Sequence, residues 1–112
     1  GMGGVGKTTL ARAIYNLIAD QFEVLCFLDN VRENSIKNGL VHLQETLLSK
    51  TIGEKGIKLG SINEAIPIIK HRLHRKKVLL VLDDVDKPDQ LHAIAGGMDW
   101  FGSGSKIIIT TR

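Results

Sequence analysis

The sequence predicts an α/β fold, a three-layer sandwich with helices on both faces of a parallel sheet. Three observations predict it. A glycine-rich opening, Gly1-Met2-Gly3-Gly4-Val5-Gly6-Lys7-Thr8-Thr9, runs straight into a helical apolar pattern. Near-continuous apolar runs at 23–28, 78–82 and 106–110 read as strands covered on both faces. Long helical or looped segments separate them, as the crossovers between parallel strands require.

Composition narrows the class. The chain has 112 residues, 43% hydrophobic and 24% charged, which suits one small packed domain and excludes a disordered segment. Cys26 is the single cysteine, so no internal disulfide can form and a reducing compartment fits best. No apolar run approaches the ~20 residues of a membrane span, and no membrane segment is predicted. The formal charge of +3 is mild and gathers in Lys70-His71-Arg72-Leu73-His74-Arg75-Lys76-Lys77. Cations there complement the carbonyl end of a helix. No aromatic residue interleaves with them, so bases have no stacking platform and no nucleic-acid partner is predicted.

Taken in order, Lys7 to about Ala19 reads as the helix after the glycine-rich loop, with Leu10, Ala13, Ile14, Leu17 and Ile18 on its apolar face. Glu23 to Leu28 follows as a strand, in which Cys26 is a packing residue. Asp29 to Gly39 is polar and reads as a loop. Arg32 and Glu33 within it are candidates for nucleotide-side or regulatory residues, with an ordinary solvated loop as the alternative. Leu40, Leu43, Leu47 and Leu48 mark a second amphipathic helix ending near Gly53, and 53–60 reads as a mobile connection. Ser61-Ile62-Asn63-Glu64 has the form of a capping box. Pro67 removes a backbone donor one turn later, so that helix is either kinked there or starts later. His71 and His74 share helical spacing but have no third ligand nearby, which favours two solvent-facing side chains over a metal site. Pro88 opens a short helix carrying Leu91 and Ile94, Gly96-Gly97 end it, and Trp100 and Phe101 anchor the turn before the last strand.

Two stretches carry chemistry. Gly1, Gly6, Lys7 and Thr8 occupy the fixed positions of the phosphate-cradling pattern G-x-x-x-x-G-K-[ST]. Glycines let backbone N–H groups turn inward on phosphate oxygens, and the helix that follows adds its own unpaired N–H groups. Gly1, Gly3, Gly4, Val5, Gly6, Lys7, Thr8 and Thr9 are therefore the candidate nucleotide-binding residues, with Lys7 on the terminal phosphates and the Thr8 hydroxyl on Mg²⁺. The second stretch is Asp83-Asp84, at the carboxyl end of an apolar strand, where open α/β sheets bind ligands. Asp83 is placed to hold Mg²⁺ opposite Thr8. Asp84 is the candidate catalytic group, orienting or deprotonating an attacking water. Arg112, at the same edge of the last strand, is a candidate for a terminal phosphate.

The blocks Gly1 to Ala11, Phe27-Leu28-Asp29-Asn30-Val31-Arg32-Glu33-Asn34-Ser35, Val78 to Asp86 and Gly104 to Arg112, in that order and spacing, resemble the NB-ARC domain of plant disease-resistance receptors. Asp86 closing the third block resembles the subclass with an N-terminal TIR domain and leucine-rich repeats. The resemblance implies a P-loop NTPase sandwich and an ATP/ADP-operated switch with Mg²⁺, intracellular and cytoplasmic, with the nucleus as an alternative. It implies slow ATP hydrolysis that resets the switch, oligomerisation on activation, and partners in the protein's own TIR, helical and leucine-rich-repeat segments. It implies Asp83 as the metal-binding acid, Asp84 as the catalytic one and Arg112 as the γ-phosphate sensor.

A phosphate loop ordinarily follows a buried strand. Residues 1–112 are therefore expected to be a partial domain cut at both ends, its first strand missing, and inactive when isolated. A phosphotransferase, or another ATPase of the same superfamily, is the runner-up. It would need an arginine-rich lid, and 53–60 holds lysines but no arginine. A GTPase would show Asp-x-x-Gly where Asp83 is followed by Asp84-Val85-Asp86.

Overall fold

The computed structural model describes residues 3–53 and 56–111. Its elements are α1 (Gly3–Ile18), a single 3₁₀ turn (Ala19–Gln21), β1 (Val24–Leu28), α2 (Val31–Asn38), α3 (Leu40–Ile52), α4 (Ile62–Leu73), β2 (Val78–Val85), α5 (Pro88–Ala95), a second 3₁₀ turn (Met98–Trp100) and β3 (Lys106–Thr111). The strands form a parallel sheet in the order β1-β2-β3. Val24 to Leu28 pair with Val78 to Leu82, and Leu79 to Leu82 pair with Lys106 to Ile109. The expected α/β class and three parallel strands are what the chain adopts.

Central β2 is apolar without alternation because both its faces are covered. Side chains still alternate in direction, and that sorts the layers. Cys26, Leu28, Leu80, Leu82 and Ile107 point into a core shared with α2, α3, α4 and α5. Phe27, Val81 and Ile108 point the other way, against Ala11 and Tyr15 of α1. At the amino end of the sheet, the buried Ser105 hydroxyl accepts from Val78 N–H (2.8 Å) and faces the Gly102 (2.6 Å) and Lys76 (3.1 Å) carbonyls, tying β2 to β3. Gly102 N–H bonds the Lys76 carbonyl at 2.8 Å. A Cβ on Gly102 would lie 2.6 Å from that oxygen, so only glycine fits there.

Several expectations change. Helix α1 starts at Gly3, so Gly3, Gly4, Val5 and Gly6 continue the helix and do not curl as a separate loop. Glycine accepts helical dihedrals as readily as loop ones, and lengthening a formed helix adds hydrogen bonds without a new nucleus. The buried side of α1 also differs: Ala11 is 2% exposed, whereas Leu10 and Leu17 are 62% and 77% exposed. Residues 29–39 hold α2 where a loop is expected. Asn30 enters it in the left-handed region (φ 51°) and Val31 is fully buried, so tertiary contact outweighs a polar composition.

Helix α3 ends as expected on left-handed Gly53 (φ 75°). Past residues 54 and 55, the described part of the connection is tethered. Leu59 N–H bonds Glu45 Oε2 at 2.9 Å, and Ile57 and Leu59 pack on the core. Ser61 caps α4 by accepting from Glu64 N–H at 3.1 Å, and the helix runs from Ile62 through Pro67. Strand β2 does not stop at Leu82 but carries Asp83 and Asp84 within it.

Candidate functional site

The carboxyl ends of the parallel strands, the first turns of α1 and the start of α2 gather at one edge of the sheet. Alternation along β2 puts Asp83 on the same face as Val81, toward α1, and alternation along β3 puts Thr110 there beside it. The Thr8 hydroxyl lies 3.0 Å from both Asp83 carboxylate oxygens, across a sequence separation of 75 residues. Its single proton is shared between them. Thr110 Oγ1 donates to Asp83 Oδ1 at 2.6 Å and accepts from Asp84 N–H at 2.8 Å. Lys7 Nζ donates to the Thr111 carbonyl at 2.8 Å.

Asp83 is only 3% exposed. A carboxylate so enclosed needs donors or a cation. Among the described residues its partners are neutral hydroxyls, and no cationic side chain pairs with it. Asp84 is half-buried and left-handed, with φ 66°. Side-chain residues other than glycine rarely hold that conformation without support. The support is visible: the β2–β3 register shifts between Leu82 and Val85, and Thr110 takes the Asp84 N–H inside that shift.

Of the residues singled out in the sequence, Lys7, Thr8, Asp83 and Asp84 come together at this edge. Thr9 is exposed in the same turn of α1. Gly3, Gly4, Val5 and Gly6 contribute helical backbone there, while Gly1 and Arg112 lie outside the described residues. Arg32 lies in α2 and bonds Asp86, with Nε 3.4 Å from Oδ2. Thr110 was not among the sequence candidates. The signal for it was available: counting by twos along β3 from the core residue Ile108 reaches it.

The donors suit a small hard cation. A hydroxyl and a carboxylate offer oxygen only, and Mg²⁺ takes one or two protein oxygens while keeping phosphate and water ligands. Among the described residues no three His, Cys, Asp or Glu side chains cluster as a transition-metal site would require. The His71 and His74 rings lie 6.2 Å apart between centroids, tilted by 31°, and His74 Nδ1 lies 3.1 Å and 3.0 Å from the Lys70 and His71 carbonyls, a local helix-end arrangement. Burial pushes the Cys26 thiol up to about 12 from its ordinary 9.0, against a smaller opposing effect of Lys50. A thiol held protonated is a packing group and no nucleophile. Among the described residues no helix is long and apolar enough to cross a membrane.

The family model of the NB-ARC domain matches residues 1–112. The chain is 44% identical over 113 residues to the disease resistance protein RPV1 of Vitis rotundifolia and 47% identical over 119 residues to the TMV resistance protein N of Nicotiana glutinosa. It is 42% identical over 118 residues to the disease resistance protein RML1B of Arabidopsis thaliana. Each match takes in the whole chain but only 8%, 10% and 11% of the relative, so the chain spans about a tenth of the length of these proteins.

Proposed function

The chain belongs to the NB-ARC family, and on that premise we propose that it is the nucleotide-binding module of a plant disease-resistance receptor of the TIR-containing subclass. In this reading it is an intracellular switch that holds ADP at rest and ATP when signalling, with slow hydrolysis returning it to rest. The observation that supports it most directly is the Thr8 hydroxyl set 3.0 Å from the buried Asp83 carboxylate. That pair is the hydroxyl-and-acid couple on which nucleotide-bound Mg²⁺ is held in P-loop proteins.

Each residue then has a task. Lys7, now on the Thr111 carbonyl, exchanges that neutral acceptor for the charged terminal phosphates, a stronger charge-assisted bond. Thr8 and Asp83, which now bond each other directly, would supply the oxygen atoms that hold Mg²⁺. Thr110 keeps one oxygen of Asp83 turned inward and fixes the Asp84 backbone. Asp84 orients the water that attacks the terminal phosphate. Mg²⁺ when bound neutralises charge on the phosphate oxygens.

The test is made in the full-length protein. Lys7→Ala is expected to abolish ATP and ADP binding by equilibrium filtration. Asp84→Ala should still bind ATP while its single-turnover hydrolysis falls by about 100-fold, the usual scale for losing a general base. Unchanged turnover in the second variant removes Asp84 from the mechanism. Transfer of the labelled phosphate to a small acceptor, with water excluded, favours the phosphotransferase reading instead.

A further inference from the structure

Helix α2 is joined to the end of the acidic strand by a closed ring of polar contacts that the nucleotide chemistry above does not use. Arg32 Nε pairs with Asp86 Oδ2 at 3.4 Å. Asp86 Oδ1 accepts from Gln90 Nε2 at 2.7 Å, and Gln90 Nε2 also donates to Ser35 Oγ at 3.0 Å. Ser35 Oγ donates back to the Arg32 carbonyl at 2.8 Å, which closes the circuit. Gln90 Oε1 meanwhile accepts from Asp86 N–H (3.0 Å) and Lys87 N–H (3.3 Å).

Gln90 is 3% exposed, and both donors and both lone pairs of its amide are used. A buried amide satisfied that fully fixes the groups around it, because any movement leaves a polar atom unpaired in a poor solvent. The ion pair is also better enclosed than the one between Lys70 and Asp99. Its side chains are 37% and 26% exposed, against 44% and 78% for Lys70–Asp99 at 3.9 Å.

The ring sits two residues beyond Asp84, whose left-handed backbone needs holding from outside. Thr110 holds it from the β3 side. We propose that Arg32, Asp86 and Gln90 are positioning residues that hold it from the other side, so that α2 and the Asp84 carboxylate keep a fixed relation. The inference rests on the reading of Asp84 given above, and it deepens that reading by making α2 the element through which the hydrolytic step is set. Residues 31–38 lie at the start of the crossover from β1, so a load on that crossover reaches Asp84 through Arg32 and Asp86.

The experiment uses the full-length protein with Arg32→Gln, Asp86→Asn and the two combined. The Arg32 side chain is 37% exposed and belongs to neither core cluster, so Arg32→Gln is expected to fold. Amide hydrogen exchange at residues 83–87, ATP turnover and the Kd for ADP are read in each. Exchange there is expected to quicken, turnover to fall by about tenfold, and Kd to stay within about twofold. The combined variant should be no worse than either single one, since one pair is lost in all three. Exchange and turnover equal to the unaltered protein, additive losses, or a Kd that rises with the loss of turnover would each overturn the proposal. An unaltered protein that never hydrolyses ATP would instead sink the functional reading, and the exchange data would still decide whether the ring holds the strand end.

Discussion

The two faces of the sheet are built on different principles. The face covered by α2 to α5 is a broad apolar core in which Leu47, Ile69, Leu80, Leu82 and Ile94 are fully buried. The face covered by α1 buries Ala11, Phe27 and Val81, with Tyr15 and Ile108 partly buried beside them. There α1 is seated by aromatic and polar contacts. Tyr15 meets Phe27 edge-on at 5.4 Å, the Arg12 guanidinium lies 4.2 Å over the same ring, and Lys7 and Thr8 bond the strand ends. The difference teaches that apolar burial and polar contact are divided between the faces. The dense face holds the sheet by packing, and the thin face seats α1 largely through aromatic and polar contacts.

The largest expected effect sharpens that contrast within one strand. Leu80 and Val81 are neighbours in β2, both 0% exposed, on opposite faces. Leu80→Ala should cost about 2–5 kcal/mol in urea unfolding, the range for a large residue deleted from a rigid core. Val81→Ala should cost less, about 1.5 kcal/mol, since fewer methyl groups are lost and α1 can settle into the gap. Equal costs would mean that the α1 face loses more per carbon removed, and the contrast between the faces would fail.

Next in size is Thr110→Val, which keeps shape and removes a donor to a buried carboxylate. A loss of about 1.5–3 kcal/mol is expected, the scale of a hydrogen bond to a charged group. A loss below about 0.5 kcal/mol, the scale of an ordinary surface substitution, would show that polar contacts do not carry the thin face.

The pH dependence comes third and touches the dense face. Burial raises the Cys26 thiol, so the folded protein keeps the proton that the unfolded chain gives up from about pH 9. Stability from this group is complete below pH 9 and is lost as pH climbs toward 12. Tyr15 is also raised by its burial, ahead of the Cys26 charge and against Arg12, and acts in the same direction from about pH 10. Cys26→Val should therefore flatten the alkaline slope only in part, as read by thermal melts from pH 8 to 11. A variant slope as steep as the original would remove Cys26 as a contributor.

The smallest effect is expected at Leu17, 77% exposed on the outer side of α1. Leu17→Gln should change stability by less than about 0.5 kcal/mol. A larger loss would mean that this side of α1 is covered in the intact protein.

The sequence by itself determined the strands, the class of fold and the pairing of a Lys-Thr dipeptide with twin aspartates. Runs such as Val78 to Leu82 are too apolar for anything but a doubly covered strand, and Lys7-Thr8 and Asp83-Asp84 are too particular in type and placing to be filler. Tertiary structure alone decided which side of α1 is buried. Leu10 and Leu17 satisfy helical spacing as well as Ala11 and Tyr15 do, and only the room above Phe27 and Val81 chooses between them. It also decided that residues 31–38 are helical, since a polar segment gains its helix from burying Val31 and from the Ser35–Gln90 bond, and the partners in both lie outside the segment. The same reason covers Asp84: its left-handed backbone and its hold on Thr110 come from strands meeting out of register, and a register belongs to a pair of strands, never to one.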